Sequence, residues 1–211
     1  RALDAEVDTG DKACLLGREE DRPTRTHSRQ SSISLSQYVR AHLVQLTPEL
    51  KLKYVLDAAQ GLKYLHNCSP PVIHRDLKPQ NLLVKGTVCK VADFGISTFR
   101  RDVEMTMTTV GTPLYMAPEV LKSHHYTEKA DVYSFGIIMC EVFSESTPYS
   151  ELNGISIMDL VTKVIHENLR PAIPDTLPSM LQSLIRECVL GSPHLRPSFA
   201  EIVERLHRMV G

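Results

Sequence analysis

The sequence predicts a mainly α domain of the α+β kind, carrying one small β-hairpin and preceded by a disordered tail. Three observations carry that prediction. Apolar residues recur at helical spacing in several stretches between residues 47 and 211. Two short apolar runs flank Gly86, and residues 1–32 show no apolar period at all. At 211 residues the chain has room for one ordinary domain or one domain plus a tail.

The tail is rich in Asp, Glu, Arg, Ser and Thr, and only Cys14-Leu15-Leu16 could anchor it. Such a stretch buries too little apolar surface to offset its ordering entropy, so residues 1–32 are expected to be disordered. The helical signals start at Leu35. Thr47 has the side chain of an N-cap and Pro48 suits a first turn. Leu52, Val55, Leu56, Ala59 and Leu62 then share one face of a helix that ends near His66, ahead of Pro70-Pro71. Leu82-Leu83-Val84 and Val88-Cys89-Lys90-Val91 read as two strands around Gly86. Asp131 to Phe143 is apolar on nearly every face, which predicts a helix buried all round, with Tyr133 and Phe135 in the core. Leu181, Leu184, Ile185, Cys188 and Val189 mark another helix. Ser198-x-x-Glu201 is a capping box that opens a last helix burying Phe199, Ile202, Val203 and Leu206. Residues 144–178 carry no legible motif.

Composition narrows the function classes. The chain is 42% hydrophobic and 23% charged, as in a soluble globular protein. Its formal net charge of −1 provides no basic field for nucleic acid or an anionic membrane. Five cysteines, scattered and without a C-x-x-C pair, argue against a disulfide framework or a zinc site. They fit a reducing compartment, and a cytoplasmic location is expected. The apolar block Phe135–Phe143, interrupted by Glu141, is far shorter than the roughly 20 residues a membrane helix needs.

The chemistry concentrates in His74-Arg75-Asp76-Leu77-Lys78-Pro79-Gln80-Asn81 and in Asp93-Phe94-Gly95. Phosphoryl transfer needs an oxygen base to orient the attacking hydroxyl, cations on the phosphates, and hard oxygens to hold those cations. Asp76 can be the base. Asn81 and Asp93 carry oxygens suited to Mg²⁺. Lys78, two residues past Asp76, can neutralise charge on the transferred group. A loop bearing Asp76 and Asn81, with Asp93 just after the hairpin, would gather them in one cleft. Alone, each would be an ordinary loop residue; the combination singles them out.

On these residues the chain resembles the eukaryotic protein kinases. H-R-D-x-x-x-x-N is complete over His74–Asn81, and D-F-G over Asp93–Gly95. Gly111-Thr112-Pro113-Leu114-Tyr115-Met116-Ala117-Pro118-Glu119 is similar to the end of a kinase activation segment. Asp131-Val132-Tyr133-Ser134-Phe135-Gly136 resembles the start of the family's central buried helix, and Arg196 resembles the arginine that pairs with the A-P-E glutamate, here Glu119. The resemblance covers residues 33–211 and implies the C-terminal lobe of a kinase. It implies ATP and Mg²⁺ as cofactors, with Lys78, Asn81 and Asp93 binding them. It also implies Asp76, Lys78 and Thr112 as catalytic, Thr112 packing beside the base and the lysine.

Leu77-Lys78-Pro79-Gln80 and Thr112 are similar to serine/threonine kinases, and the phrasing around Met116 and Tyr133 looks like their tyrosine-kinase-like group. Protein substrates bearing Ser or Thr follow. Arg75 before Asp76 marks kinases switched by activation-loop phosphorylation. Thr106, Thr108 or Thr109 would then be targets of an upstream kinase, each phosphate adding about −1.5 to −2 charges.

Residues 1–32 show no G-x-G-x-x-G, no strand lysine and no strand pattern, and the hinge that would meet adenine is absent as well. The family's N-terminal lobe is thus not seen, and this chain alone is expected to have little or no kinase activity, since catalysis of this kind depends on positioning. Two readings remain open: a Ser/Thr kinase whose upper lobe is encoded further upstream, or a non-catalytic lobe fragment that binds proteins.

Overall fold

The computed structural model describes residues 33–35, 37, 46–93, 112–123 and 126–210. The tail, Cys14, Phe94, Gly95, Thr106, Thr108 and Thr109 lie outside the described residues, and of Thr112 only the backbone is described.

The order of elements is β1 (Ile33–Ser34), α1 (Pro48–His66), β2 (Leu82–Lys85), β3 (Val88–Val91), α2 (Pro118–Ser123), α3 (Glu128–Ser144), α4 (Ile157–His166), α5 (Ser179–Cys188) and α6 (Phe199–Val210). Single-turn 3₁₀ helices cover Pro79–Asn81, Thr112–Tyr115 and Pro193–Leu195. Helix thus dominates and the sheet is small, as the periodicities require.

α1 starts as its sequence dictates: the Thr47 hydroxyl accepts the Leu50 amide at 3.3 Å, and Pro48 needs no amide partner in the first turn. Its buried face holds Val55, Leu56, Ala59 and Leu62, joined by Tyr54, Ala58 and Leu65; Leu52 is half-buried. α3 is buried without a break from Ala130 to Val142, with Thr127 capping its first turn. α1, α5 and the Thr112–Tyr115 turn pack on it. In α6 the capping box forms as written, Ser198 N and Glu201 N each bonding the other residue's side chain at 2.7 and 3.3 Å.

The sheet contains one strand more than the hairpin. β2 and β3 pair antiparallel with Val84 opposite Cys89, and Lys85 and Val88 close a two-residue turn. Gly86 sits in that turn at φ 60°, a left-handed conformation that costs a glycine little. β1 adds to the other side of β2, Ile33 opposite Val84. Two residues without alternation leave no strand signal in the sequence. Leu82, Val84 and Cys89 turn inward to the main core.

A smaller cluster of Tyr149, Leu160 and Val164 forms around α4, in the stretch without motifs. Among the described residues no helix is long and apolar enough to cross a membrane. Cys89, Cys140 and Cys188 are free thiols.

Candidate active site

α1 stops at His66 and the chain enters the loop that carries His74–Asn81. Here the backbone is held by one carboxylate. Asp131, in the first turn of α3 and 1% exposed, accepts the His74 amide at 2.8 Å and the Arg75 amide at 3.0 Å. Its Oδ2 also accepts Nε2–H of His66 at 2.9 Å, so three donors and the positive end of α3 compensate a charge that burial alone would expel. Arg75 is pulled to φ 68°, a conformation side chains disfavour by roughly 1–2 kcal/mol. The buried His74 ring reaches the other way, Nε2–H donating to the Ala92 carbonyl at 2.9 Å.

The loop then presents its polar groups together. Lys78 Nζ donates to Asp76 Oδ2 at 2.7 Å. Asn81, buried in the single turn opened by Pro79, donates from Nδ2 to the Asp76 carbonyl at 2.8 Å and to Asp76 Oδ2 at 3.4 Å. The amide therefore turns its NH₂ toward Asp76 and keeps Oδ1 for another partner. The Asp76 side chain is 47% exposed.

Asp93 follows β3 and is exposed. The residue before it is tied to the loop at both ends: Ala92 N donates to the Asn81 carbonyl at 2.8 Å, and its carbonyl holds His74. Asp93 itself sits at φ 58°. Asp76, Lys78 and Asn81 are thus in direct contact, and Asp93 is joined to them through Ala92. Asn81 Oδ1 and the Asp93 carboxylate are hard oxygens, a donor pair that suits Mg²⁺. Thr112 lies in the turn ending at Tyr115, whose carbonyl accepts the Ser134 hydroxyl at 2.7 Å and whose own hydroxyl donates to Glu141 at 2.5 Å.

Glu119 and Arg196 meet as a fork, with N–O distances of 2.7 and 2.8 Å. Arg196 is fully buried and also bonds the Leu190 and Lys129 carbonyls, its guanidinium 5.0 Å from the centre of the Tyr133 ring.

Sequence reading missed three contributors. Asp131 looks in the sequence like a helix start alone; an acid opening a helix buried on every side is the available signal, since it must find donors. His66 looked like a helix end. Tyr126 carries no sequence signal, yet it lies close enough to the loop that burial and then the negative charge of Asp76 push its phenol up, with Arg75 opposing, which keeps it neutral.

A mostly helical lobe that presents an Asp–Lys–Asn cluster beside a hairpin ending in Asp has the architecture of a phosphotransferase. The sequence profile of the protein kinase domain matches residues 27–207. The chain is 43% identical over 174 residues to "Probable serine/threonine-protein kinase drkA" of Dictyostelium discoideum, covering 82% of this chain and 26% of that protein. It is 42% identical over 167 residues to "Probable serine/threonine-protein kinase SIS8" of Arabidopsis thaliana, covering 78% and 16%. It is 39% identical over 173 residues to "Dual specificity protein kinase shkA" of Dictyostelium discoideum, covering 80% and 32%. The chain belongs to the protein kinase domain family, among the eukaryotic serine/threonine kinases. It spans about a quarter or less of the length of the first two of these relatives.

Proposed function

We propose that residues 33–211 are the C-terminal lobe of a kinase that transfers phosphate from ATP to serine or threonine hydroxyls of proteins. The observation that carries this reading is the cluster in which Lys78 and Asn81 both address Asp76 Oδ2. Asp76 orients the attacking hydroxyl and accepts its proton, Lys78 leaving the second carboxylate oxygen to that task. Lys78, with its ammonium already beside the reacting position, stabilises negative charge as it grows on the transferred oxygens. Asn81 and Asp93 would hold Mg²⁺ through their side-chain oxygens. Bound MgATP supplies the phosphoryl group and screens its charge. The family resemblance assigns Thr112 a catalytic hydroxyl beside the base and the lysine, and this reading keeps that assignment. Leu77-Lys78-Pro79-Gln80 favours Ser/Thr over Tyr, and the relatives named as serine/threonine kinases support that preference. Arg75 is the receptor for a phosphate placed by an upstream kinase on Thr106, Thr108 or Thr109.

As a 211-residue polypeptide the chain is expected to have little or no kinase activity, because residues 1–32 offer no Gly-rich loop, strand lysine or hinge, and positioning carries most of this catalysis. Phosphate transfer to a Ser/Thr peptide mixture from radiolabelled ATP tests both statements. The protein isolated from its own cells is expected to transfer phosphate, and Asp76→Asn to lower the rate by roughly 10²–10⁴-fold. An Asp76→Asn protein as active as its parent removes the assignment. Turnover by the 211-residue chain at the rate of the natural protein removes the claim of inactivity.

A further inference from the structure

Three residues on one stripe of α1, at spacings of three and four, touch the hairpin at three points along its length. The Tyr54 hydroxyl donates to the Gly86 carbonyl at 2.7 Å, in the turn. The Asp57 carboxylate accepts the Cys89 amide at 3.1 Å, at mid-strand, and is itself held by Lys53 at 2.9 Å. Gly61 lies under the end of β3, where a Cβ would stand only 3.1 Å from Val91 Cγ2. β3 is the edge of the sheet, and this stripe covers that edge.

Two residues beyond Val91 is Asp93. Between them stands Ala92, whose amide and carbonyl are both committed, to Asn81 and His74. Asp93, at φ 58°, follows Ala92 directly, so the pinned Ala92 peptide is its covalent link to Val91. A shift of Val91 is therefore delivered to Asp93 and, through the Ala92 amide, to Asn81.

The geometry points to Tyr54, Asp57 and Gly61 as positioning residues that set the separation of the two metal-binding oxygens, with Gly61 chosen for close approach to Val91. This rests on the reading of Asn81 and Asp93 as Mg²⁺ ligands. Helix propensity argues the same way: glycine in a helix interior is inferior to alanine, so its presence here requires another reason. An Ala at 61 would strengthen α1 and press on Val91.

The test uses Mn²⁺ as the probe, a paramagnetic ion with the oxygen preference of Mg²⁺. It is titrated into the 211-residue chain with ATP present and followed by broadening of the Val91 methyl resonances, alongside the urea unfolding midpoint. Asp93→Asn tests the underlying reading: broadening as strong as in the parent removes Asp93 as a ligand, and the role of the stripe with it. With that control lost as expected, Gly61→Ala should weaken Mn²⁺ binding on the order of tenfold, the usual scale for groups that orient ligands, without lowering the unfolding midpoint. The double change Gly61→Ala with Val91→Ala should restore it, followed then at Val84. Unchanged affinity in Gly61→Ala, or no recovery in the double variant, overturns the proposal while leaving the site reading standing. Asp57→Ala should weaken binding and Asp57→Asn, which keeps an acceptor for Cys89, should not; equal behaviour of the two also overturns it.

Discussion

Two regions of this molecule use opposite charges in opposite ways. Between α2 and the turn before α6, Glu119 and Arg196 form a fork in which the arginine is fully buried and each of its guanidinium nitrogens donates to an oxygen. At the rim, Asp76 and Lys78 pair at 2.7 Å with side chains 47% and 23% exposed, on a loop where Arg75 adopts a left-handed backbone. The contact distances are alike; the surroundings are not. Burial makes the first pair costly to break, and exposure leaves the second pair open to exchange partners with solvent. The distance between two charges therefore says little about their work, and the dielectric around them says most of it.

Breaking each pair should separate the two roles. Glu119→Ala leaves Arg196 buried without its anion and is expected to cost about 3–5 kcal/mol in urea unfolding, the range for one lost partner of a buried ion pair. Asp131→Ala acts between the regions: the His74 and Arg75 amides lose their acceptor, a loss of about 1–3 kcal/mol, and both amides should exchange hydrogen faster than those of α3. Asp76→Asn should move stability by no more than about 0.5 kcal/mol, the scale for exposed sites, while removing transfer activity. An Asp76 variant that unfolds as readily as the Glu119 variant would erase the distinction.

Smaller effects refine it. Glu187 is held low by the Arg205 guanidinium and Glu201 by the Ser198 amide, both below the ordinary glutamate value of 4.5. Groups depressed in the folded state add stability that is complete above that value and is lost as pH falls through the folded one. The thermal midpoint should thus decline on acidification below about pH 4.5, and Arg205→Met should shrink the Glu187 share of the decline. Cysteine labelling gives the mildest test. Burial pushes the Cys89 and Cys140 thiols up to about 12 and raises Cys188 as well, whereas Cys68 is partly exposed. Among these four, mass mapping after a short iodoacetamide pulse should find Cys68 modified first.

Much of the fold was legible because its signals are local. Thr47 and the Ser198–Glu201 box cap the helices they were expected to cap, and the continuous apolar run after Asp131 becomes the helix buried on all sides. The hairpin sits where its two runs placed it, with Gly86 in the turn. The strand Ile33–Ser34 escaped notice because two residues carry no period and its only definition is the partner it pairs with. In the site, Asp76, Lys78 and Asn81 were expected to meet and do, through bonds spanning at most five residues. Asp131 and Tyr126, 55 and 50 residues beyond Asp76, have no such proximity in the chain, and neither has the Tyr54–Asp57–Gly61 stripe facing the hairpin.

By itself, then, the sequence determined the family, helices α1, α3, α5 and α6 and the loop that gathers Asp76, Lys78 and Asn81, since caps, periods and short-range motifs act within a few residues, whereas α2 and α4 were not legible in it. The tertiary structure alone decided which carboxylate holds that loop, how closely α1 approaches β3, and that Arg196 of the fork is sealed from water. Those depend on contacts between segments far apart in the chain, where burial rather than residue type sets the strength of a charge.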